Sequence, residues 1–288
     1  MIIIIGIVTV VVCVFGGFVL EGGHLGVLLA AFVNEVLIIG GGAAGSLIIM
    51  SPKKVLVDIA KNLGACLKGA PHNRASYEDL LKVLYELFLL GRRNGMIALE
   101  EHVLEPEKSA VFKRYPRFTA NQHAVEFLCG ALRPIIDGKI KPDQLRLLLD
   151  AEIGRMEVEH HAPVSVLQKT GDAMPGFGIV AAVLGIVITM GSIGGAVEDI
   201  GTHVAAALVG TFLGILLAYG FMGPLAANME FVGESEMDFT RCIAACVTGF
   251  ANGMAPVTAV ELGRRGLSRE HRPSAEELEQ MFKAMKGK

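Results

Sequence analysis

Val204-Ala-Ala-Ala-Leu-Val-Gly-Thr-Phe-Leu-Gly-Ile-Leu-Leu-Ala-Tyr-Gly-Phe-Met-Gly-Pro-Leu225 carries no charged side chain. An α-helix rises about 1.5 Å per residue and the hydrocarbon core of a bilayer is about 30 Å thick, so about 20 such residues cross it. This stretch therefore reads as a membrane span, and three others join it. Met1 to Leu20 is also uncharged; lacking a basic leader and a small-residue cleavage site, it reads as a retained span rather than a signal peptide. Met174 to Ile193 is another. Leu25 to Met50 is interrupted by Asn34-Glu35, so its strict span is taken as Val36 to Met50, with Leu25 to Val33 at the interface. The whole chain fits a membrane protein: 288 residues, 52% hydrophobic, 35 glycines and a mean hydropathy of +0.52.

Basic residues are retained on the cytoplasmic side of the inner membrane. All 26 Lys and Arg fall in two blocks, 18 between Lys53 and Lys169 and 8 between Arg241 and Lys288; residues 1–52 and 170–240 contain none. The links around Glu21 to His24 and Gly194 to Thr202 are thus expected in the periplasm, and both termini in the cytoplasm. The fold class is all-α: a polytopic membrane protein of four transmembrane helices, with a helical cytoplasmic domain formed by the 2–3 loop and the C-terminal tail. The expected parts are 1–50 (spans one and two with their periplasmic link), 51–170 (cytoplasmic helices), 171–227 (spans three and four) and 228–288 (C-terminal cytoplasmic helices).

In the central loop, Ser76-Tyr-Glu-Asp79 has the form of a capping box, followed by Leu80, Leu81, Leu84, Leu87 and Phe88 at helical spacing as far as Gly91. Further helices are expected over Ala120 to Leu132, broken by Arg133-Pro134 and Asp137-Gly138, and from Pro142 to Val158 or beyond. Met229 to Val260 can extend the fourth span, and Ser274-Ala-Glu-Glu277 caps a short tail helix. Arg92-Arg-Asn-Gly-Met-Ile-Ala-Leu-Glu100-Glu-His102 sets charges of both signs on an edge between helices. That edge reads either as a solvated face or as a surface where charges steer and register a partner.

Several function classes drop out. A net charge of −3 without a dense Lys/Arg run gives no nucleic-acid footprint. Five cysteines (Cys13, Cys66, Cys129, Cys242, Cys246) without a CxxC pair read as small buried residues, and the histidines show no HExxH spacing, so no metal or cofactor is expected. No P-loop, GxSxG or nucleophile–base set suggests an enzyme.

A chain that moves protons alone keeps an ionisable group deep in the bilayer. Glu35, Glu198 and Asp199 are placed toward the periplasmic face and Asp172 at the cytoplasmic start of the third span, leaving hydroxyls, Thr9, Ser46, Thr189 and Thr211, as the polar groups within. If the chain conducts an ion, the titrating carboxylate is expected from another polypeptide. Small-xxx-small spacing at Gly41/Gly45 and Gly210/Gly214 marks either tight helix contacts or the ordinary glycine enrichment of spans. Pro175 and Pro224 sit where a helix can start or kink.

Asp172-Ala-Met-Pro-Gly-Phe-Gly-Ile-Val-Ala-Ala-Val-Leu-Gly185, Val209 to Pro224, Arg92…Glu100, Asn252-Gly-Met-Ala-Pro-Val-Thr-Ala-Val-Glu261 and Arg272-Pro-Ser-Ala-Glu-Glu-Leu-Glu279 together resemble the MotA family, the larger stator subunits of the bacterial flagellar motor. The resemblance implies a pentamer around two copies of MotB, whose single membrane helix supplies the proton-binding aspartate, in contact with membrane lipid and with the rotor protein FliG. Arg92 and Glu100 match the family's rotor-engaging charges, with Arg93 and Glu101 as neighbours. Pro175 and Pro224 match its coupling prolines, and Thr211 its pore threonine. Ala182 stands where sodium-driven relatives carry threonine, which implies H+ as coupling ion rather than Na+; Thr189 is a departure from some relatives. The competing expectation is a TolQ- or ExbB-like energiser of outer-membrane processes, which usually has three spans.

Overall fold

The computed structural model describes residues 2–69, 72–191, 194 and 197–286. Among them every regular element is a helix, and the chain divides into two units, residues 1–69 with 159–232 and residues 70–158 with 233–288. Four helices are long and apolar enough to cross a membrane, over Ile2–Leu20, Leu28–Met50, Pro142–Gly191 and His203–Ala251.

The first unit begins with α1 (Ile2–Leu20), α2 (Leu25–Met50) and α3 (Lys53–Lys68). Asn34-Glu35 does not interrupt α2, so the expected division into an interfacial 25–33 and a span 36–50 is corrected to one helix. Ala31, Glu35, Ile39 and Ala43 recur every four residues and are all buried, so Glu35 occupies a position in the buried stripe instead of breaking the pattern. Helix α3 has no counterpart in the sequence reading. It buries Ile59 and Cys66 in a cluster with Leu167, Ala226 and Met229.

Helix α8 (Pro142–Gly191) carries Pro163 and Pro175 in its interior. The third span therefore does not start at Pro175, because the helical ladder is already established for many turns before it. Helix α9 (Val197–Ile215) leads into a π-helical turn (Leu216–Met222) and then α10 (Gly223–Ala251). Proline has no N–H and its ring crowds the carbonyl four residues back. Pro224 thus leaves the Gly220 carbonyl without its α-helical donor, and the turn before it widens, with the Gly223 N–H bonding to Ala218 O. Residues 192 and 193 at the end of the expected third span, residues 195 and 196 of the expected periplasmic link, and the side chains of Glu198 and Asp199 lie outside the described residues.

In the second unit, α4 (Arg74–Asn94) is capped by Asn73, whose Oδ1 accepts from the Ser76 N–H at 3.0 Å and from the Ser76 hydroxyl. The cap expected at Ser76 thus lies three residues earlier. Nor does Gly91 end the helix. It is a close-approach site, where a Cβ would come within 2.9 Å of Leu99 and 3.1 Å of Phe250, and the turn is made at Gly95, whose φ of +86° favours glycine. A 3₁₀ turn (Met96–Leu99), α5 (Glu100–Leu104), a second 3₁₀ turn (Phe112–Arg114), α6 (Pro116–Thr119) and α7 (Gln122–Ile136) follow.

Pro134 sits inside α7 where a break was expected. It falls in the last turn, where its missing N–H costs only one bond, and the chain turns at Gly138 instead, with φ +64°. Helix α10 stops at Ala251, short of the expected Val260, because Gly253 takes φ +79°; α11 (Pro256–Gly266) and α12 (Ala275–Lys286) complete the unit. Ser274 and Glu277 form the expected reciprocal box, with the Glu277 N–H donating to Ser274 Oγ and the Ser274 N–H to Glu277 Oε2.

Large buried side chains dominate this core: the Phe88 and Phe250 rings stack at 4.4 Å and Tyr85 on Phe282 at 3.9 Å. Cys242 and Cys246, both buried, lie under α11, where a Cβ at Gly263 would overlap Cys246 Sγ.

Candidate functional site

Two places bring the candidate residues together, one in each unit. In the first unit α8 and α9 meet backbone to backbone. A Cβ on Gly178 would stand 2.8 Å from Gly210 O, one on Gly214 2.8 Å from Met174 O and 3.3 Å from Pro175 Cα, and one on Gly185 2.9 Å from the Ala207 methyl. Gly210 and Gly214 are therefore contact residues, as their spacing suggested. Gly41 and Gly45 make no such contact within the chain: a Cβ at either meets no atom within 4 Å among the described residues. Gly42 makes the contact in α2, where a Cβ would stand 2.6 Å from the Phe177 ring. The buried phase of α2 passes through Ile39, Gly42 and Ala43, one residue away from the glycines that the motif picked.

Pro175 lies directly on this seam. Ala182 and Thr211, both half-buried, sit one residue beyond Ala181 and Gly210, whose mutual approach would bring their Cβ atoms to 3.1 Å. Thr189 is buried, and its hydroxyl donates to its own helix at Gly185 O, 2.8 Å away. Pro224 is exposed and follows the π turn. Sequence reading missed one resident of this region. Glu35 is only 6% exposed, inside the apolar stretch Leu28–Met50, and its carboxylate lies over Gly210. Its four-residue phase with Ala31, Ile39 and Ala43 is the signal that would have found it.

In the second unit, Arg92 and Arg93 end α4, while Glu100 and Glu101 open α5; all four are exposed, and none makes an ion pair among the described residues. Arg92 Nη1 reaches Gly253 O at 3.5 Å, so the structure brings the Asn252-Gly253 turn beside the charged edge. Ile97, 78% exposed, projects from the 3₁₀ turn between the two charge pairs. The anchor of the Asn252 to Glu261 segment is Glu261. It takes two short bonds from Arg264 (2.6 and 2.7 Å) and one from Arg265 (2.8 Å), and these hydrogen bonds hold its carboxyl at about 2.

Four spanning helices with a small-residue seam, and a helical unit whose charged edge makes no ion pair among the described residues, define a class, that of polytopic membrane proteins whose spans pack by backbone contact. The family model described as Motility protein A N-terminal matches residues 4–95, and that of the MotA/TolQ/ExbB proton channel family matches residues 119–237. Motility protein A of Salmonella typhimurium is 37% identical over 286 residues, covering 99% of this chain and 96% of the relative. That of Escherichia coli is 38% identical with the same coverage, and chemotaxis protein LafT of Vibrio parahaemolyticus is 36% identical over 283 residues, 98% of this chain and 99% of the relative. In fold, the structure of C. jejuni MotAB superposes with a TM-score of 0.77 at 23% identity, covering 95% of this chain and 98% of the other. The chain belongs to the motility protein A family, within the MotA/TolQ/ExbB proton channel proteins.

Proposed function

We propose that this chain is the larger stator subunit of a proton-driven flagellar motor, resident in the bacterial inner membrane with both termini in the cytoplasm. The observation that carries this is the alignment with motility protein A along nearly the whole length of both chains. A match to the Motility protein A N-terminal model over residues 4–95 favours it over a TolQ- or ExbB-like energiser, since only the second family model is shared with those proteins.

In this reading five copies surround two copies of a MotB partner, whose membrane aspartate takes up and releases the proton. The α8/α9 seam responds. Pro175, packed on Gly214, and Pro224, behind the π turn, are placed where a small change in helix packing can be passed along a rigid element. Ala182 and Thr211 line the path. A methyl in place of a hydroxyl at 182 offers no ligand to a hard cation and leaves protons as the coupling ion. The charges of Arg92 and Glu100 then engage complementary charges on the rotor protein FliG, with no ion pair among the described residues to break first.

Deleting the gene tests the reading. Cells should keep complete flagella, stop swimming and recover with a plasmid copy; a sole stator gene whose loss leaves swimming intact would sink it. Charge reversal, Arg92→Glu or Glu100→Lys, should cut torque while membrane levels stay unchanged. Swimming that tracks external sodium instead of pH would overturn the choice of proton.

A further inference from the structure

Residues 1–52 and 170–240 contain no Lys or Arg, so within its spans this chain has no permanent cation to pair with Glu35. Glu35 is nevertheless buried in the middle of an apolar stripe, and its Oε2 meets no hydrogen-bond partner among the described residues. It gets there because position 210 is glycine: a Cβ at Gly210 would overlap Glu35 Oε2, and would also stand 3.1 Å from the Ala181 methyl. A carboxylate with one oxygen enclosed in this way without a partner is disfavoured in its charged form, whereas the neutral acid fits.

We propose that Glu35 is a proton-binding site of this chain inside the membrane, a carboxyl that holds its proton at the contact between α2 and Gly210 of α9, in addition to the aspartate supplied by the partner. For the use made of that proton the inference rests on the stator reading. The location suits such a use, because Gly210 and Ala181 are the immediate chain neighbours of Thr211 and Ala182. The ionisable groups nearest to Glu35 along the helices that pack against it are few, since the remaining ones of α8 lie at Lys169 and before, 12 or more residues from Ala181. Asp172 of α8 lies nine residues before Ala181, about 13 Å along the helix. His203 of α9 lies seven before Gly210, about 10 Å along the helix, with its Nδ1 buried and unpartnered among the described residues. Glu198 and Asp199, also on α9, have side chains outside the described residues.

The test is infrared spectroscopy of the complex purified with its MotB partner in lipid, using a partner whose membrane aspartate is replaced by asparagine to clear the background. At neutral pH the protonated-carboxyl C=O band should be present with Glu35 and lost in Glu35→Gln, and Glu35→Asp should keep a band at a shifted position. If Glu35→Gln removes carboxylate-stretch intensity instead, Glu35 is ionised and the inference fails. Assembly is followed by size-exclusion chromatography. Where Glu35→Gln does not assemble, Glu35→Asp decides, and a band that does not move overturns the proposal. The readout separates the two ideas: normal swimming after deletion in a cell with no second stator gene removes the stator reading and leaves the band, while absence of the band removes this proton site and leaves the stator reading.

Discussion

The α8/α9 seam and the core of the second unit solve the same packing problem with opposite materials. At the seam, Gly178, Ala181, Gly185, Ala207, Gly210 and Gly214 allow backbone to touch backbone; in the second unit, Phe88, Phe250, Tyr85, Phe282, Phe112 and Phe118 fill space with rings. The difference follows from the solvent. Lipid offers no reward for burying an apolar ring, so helices gain from close approach and dispersion. Water rewards each buried ring by its area, and there large side chains give the greater stability.

This contrast can be broken from either side. The largest effect is expected at Gly214→Leu, whose Cβ would stand 2.8 Å from the Met174 carbonyl; native electrophoresis of the membrane complex should show loss of assembly. Phe88→Ala, which removes a fully buried ring, should destabilise the second unit by about 3–5 kcal/mol, read as lost hydrogen-exchange protection in α4 with assembly retained. Acid comes next. His72 is buried against Phe239 at 4.1 Å, accepts from Asn121 at 3.3 Å and lies near His271; burial first, then that neighbour, lowers it from 6.5 to about 4. Its folded form resists a proton that the unfolded chain takes up, so the contribution is complete above 6.5 and is lost as pH falls through that window to about 4. The loss is at most about 3 kcal/mol, and His72→Phe should flatten the acid slope of unfolding. Ser274→Ala, removing one half of a capping box, should cost about 1 kcal/mol and fray α12 alone. Gly41→Ala, facing open space, should change neither unit.

Much of this was legible in the sequence. Hydropathy gave the apolar helices, since a bilayer leaves few other ways to satisfy twenty apolar residues, and the Gly210/Gly214 spacing and the Ser274 box were read correctly from local chemistry. What escaped reading depended on partners distant in the chain. Gly91 looks like a helix end until Leu99 and Phe250 are seen to need its missing Cβ. Glu35 looks like an interruption until its phase with Ala31, Ile39 and Ala43 is followed. Pro134 and Pro175 look like boundaries, but a proline removes one hydrogen bond, and a helix held by many others continues past it. At the charged edge, the motif pointed to Arg92 and Glu100, whose exposure the structure shows, but not to the exposed Ile97 between them or the Gly253 carbonyl beside Arg92.

The burial of Cys66, Cys242 and Cys246 has a practical consequence. Cys129, half-buried and pushed up to about 11 by burial, is a poor nucleophile at neutral pH, and Cys13 is exposed on the uncharged helix α1. Replacing Cys13 and Cys129 thus gives a background nearly silent to thiol reagents with the α10/α11 packing intact. A fluorophore attached to Ile97→Cys in that background would sit between the charge pairs, a probe whose colour and mobility register each engagement of that edge in a working cell.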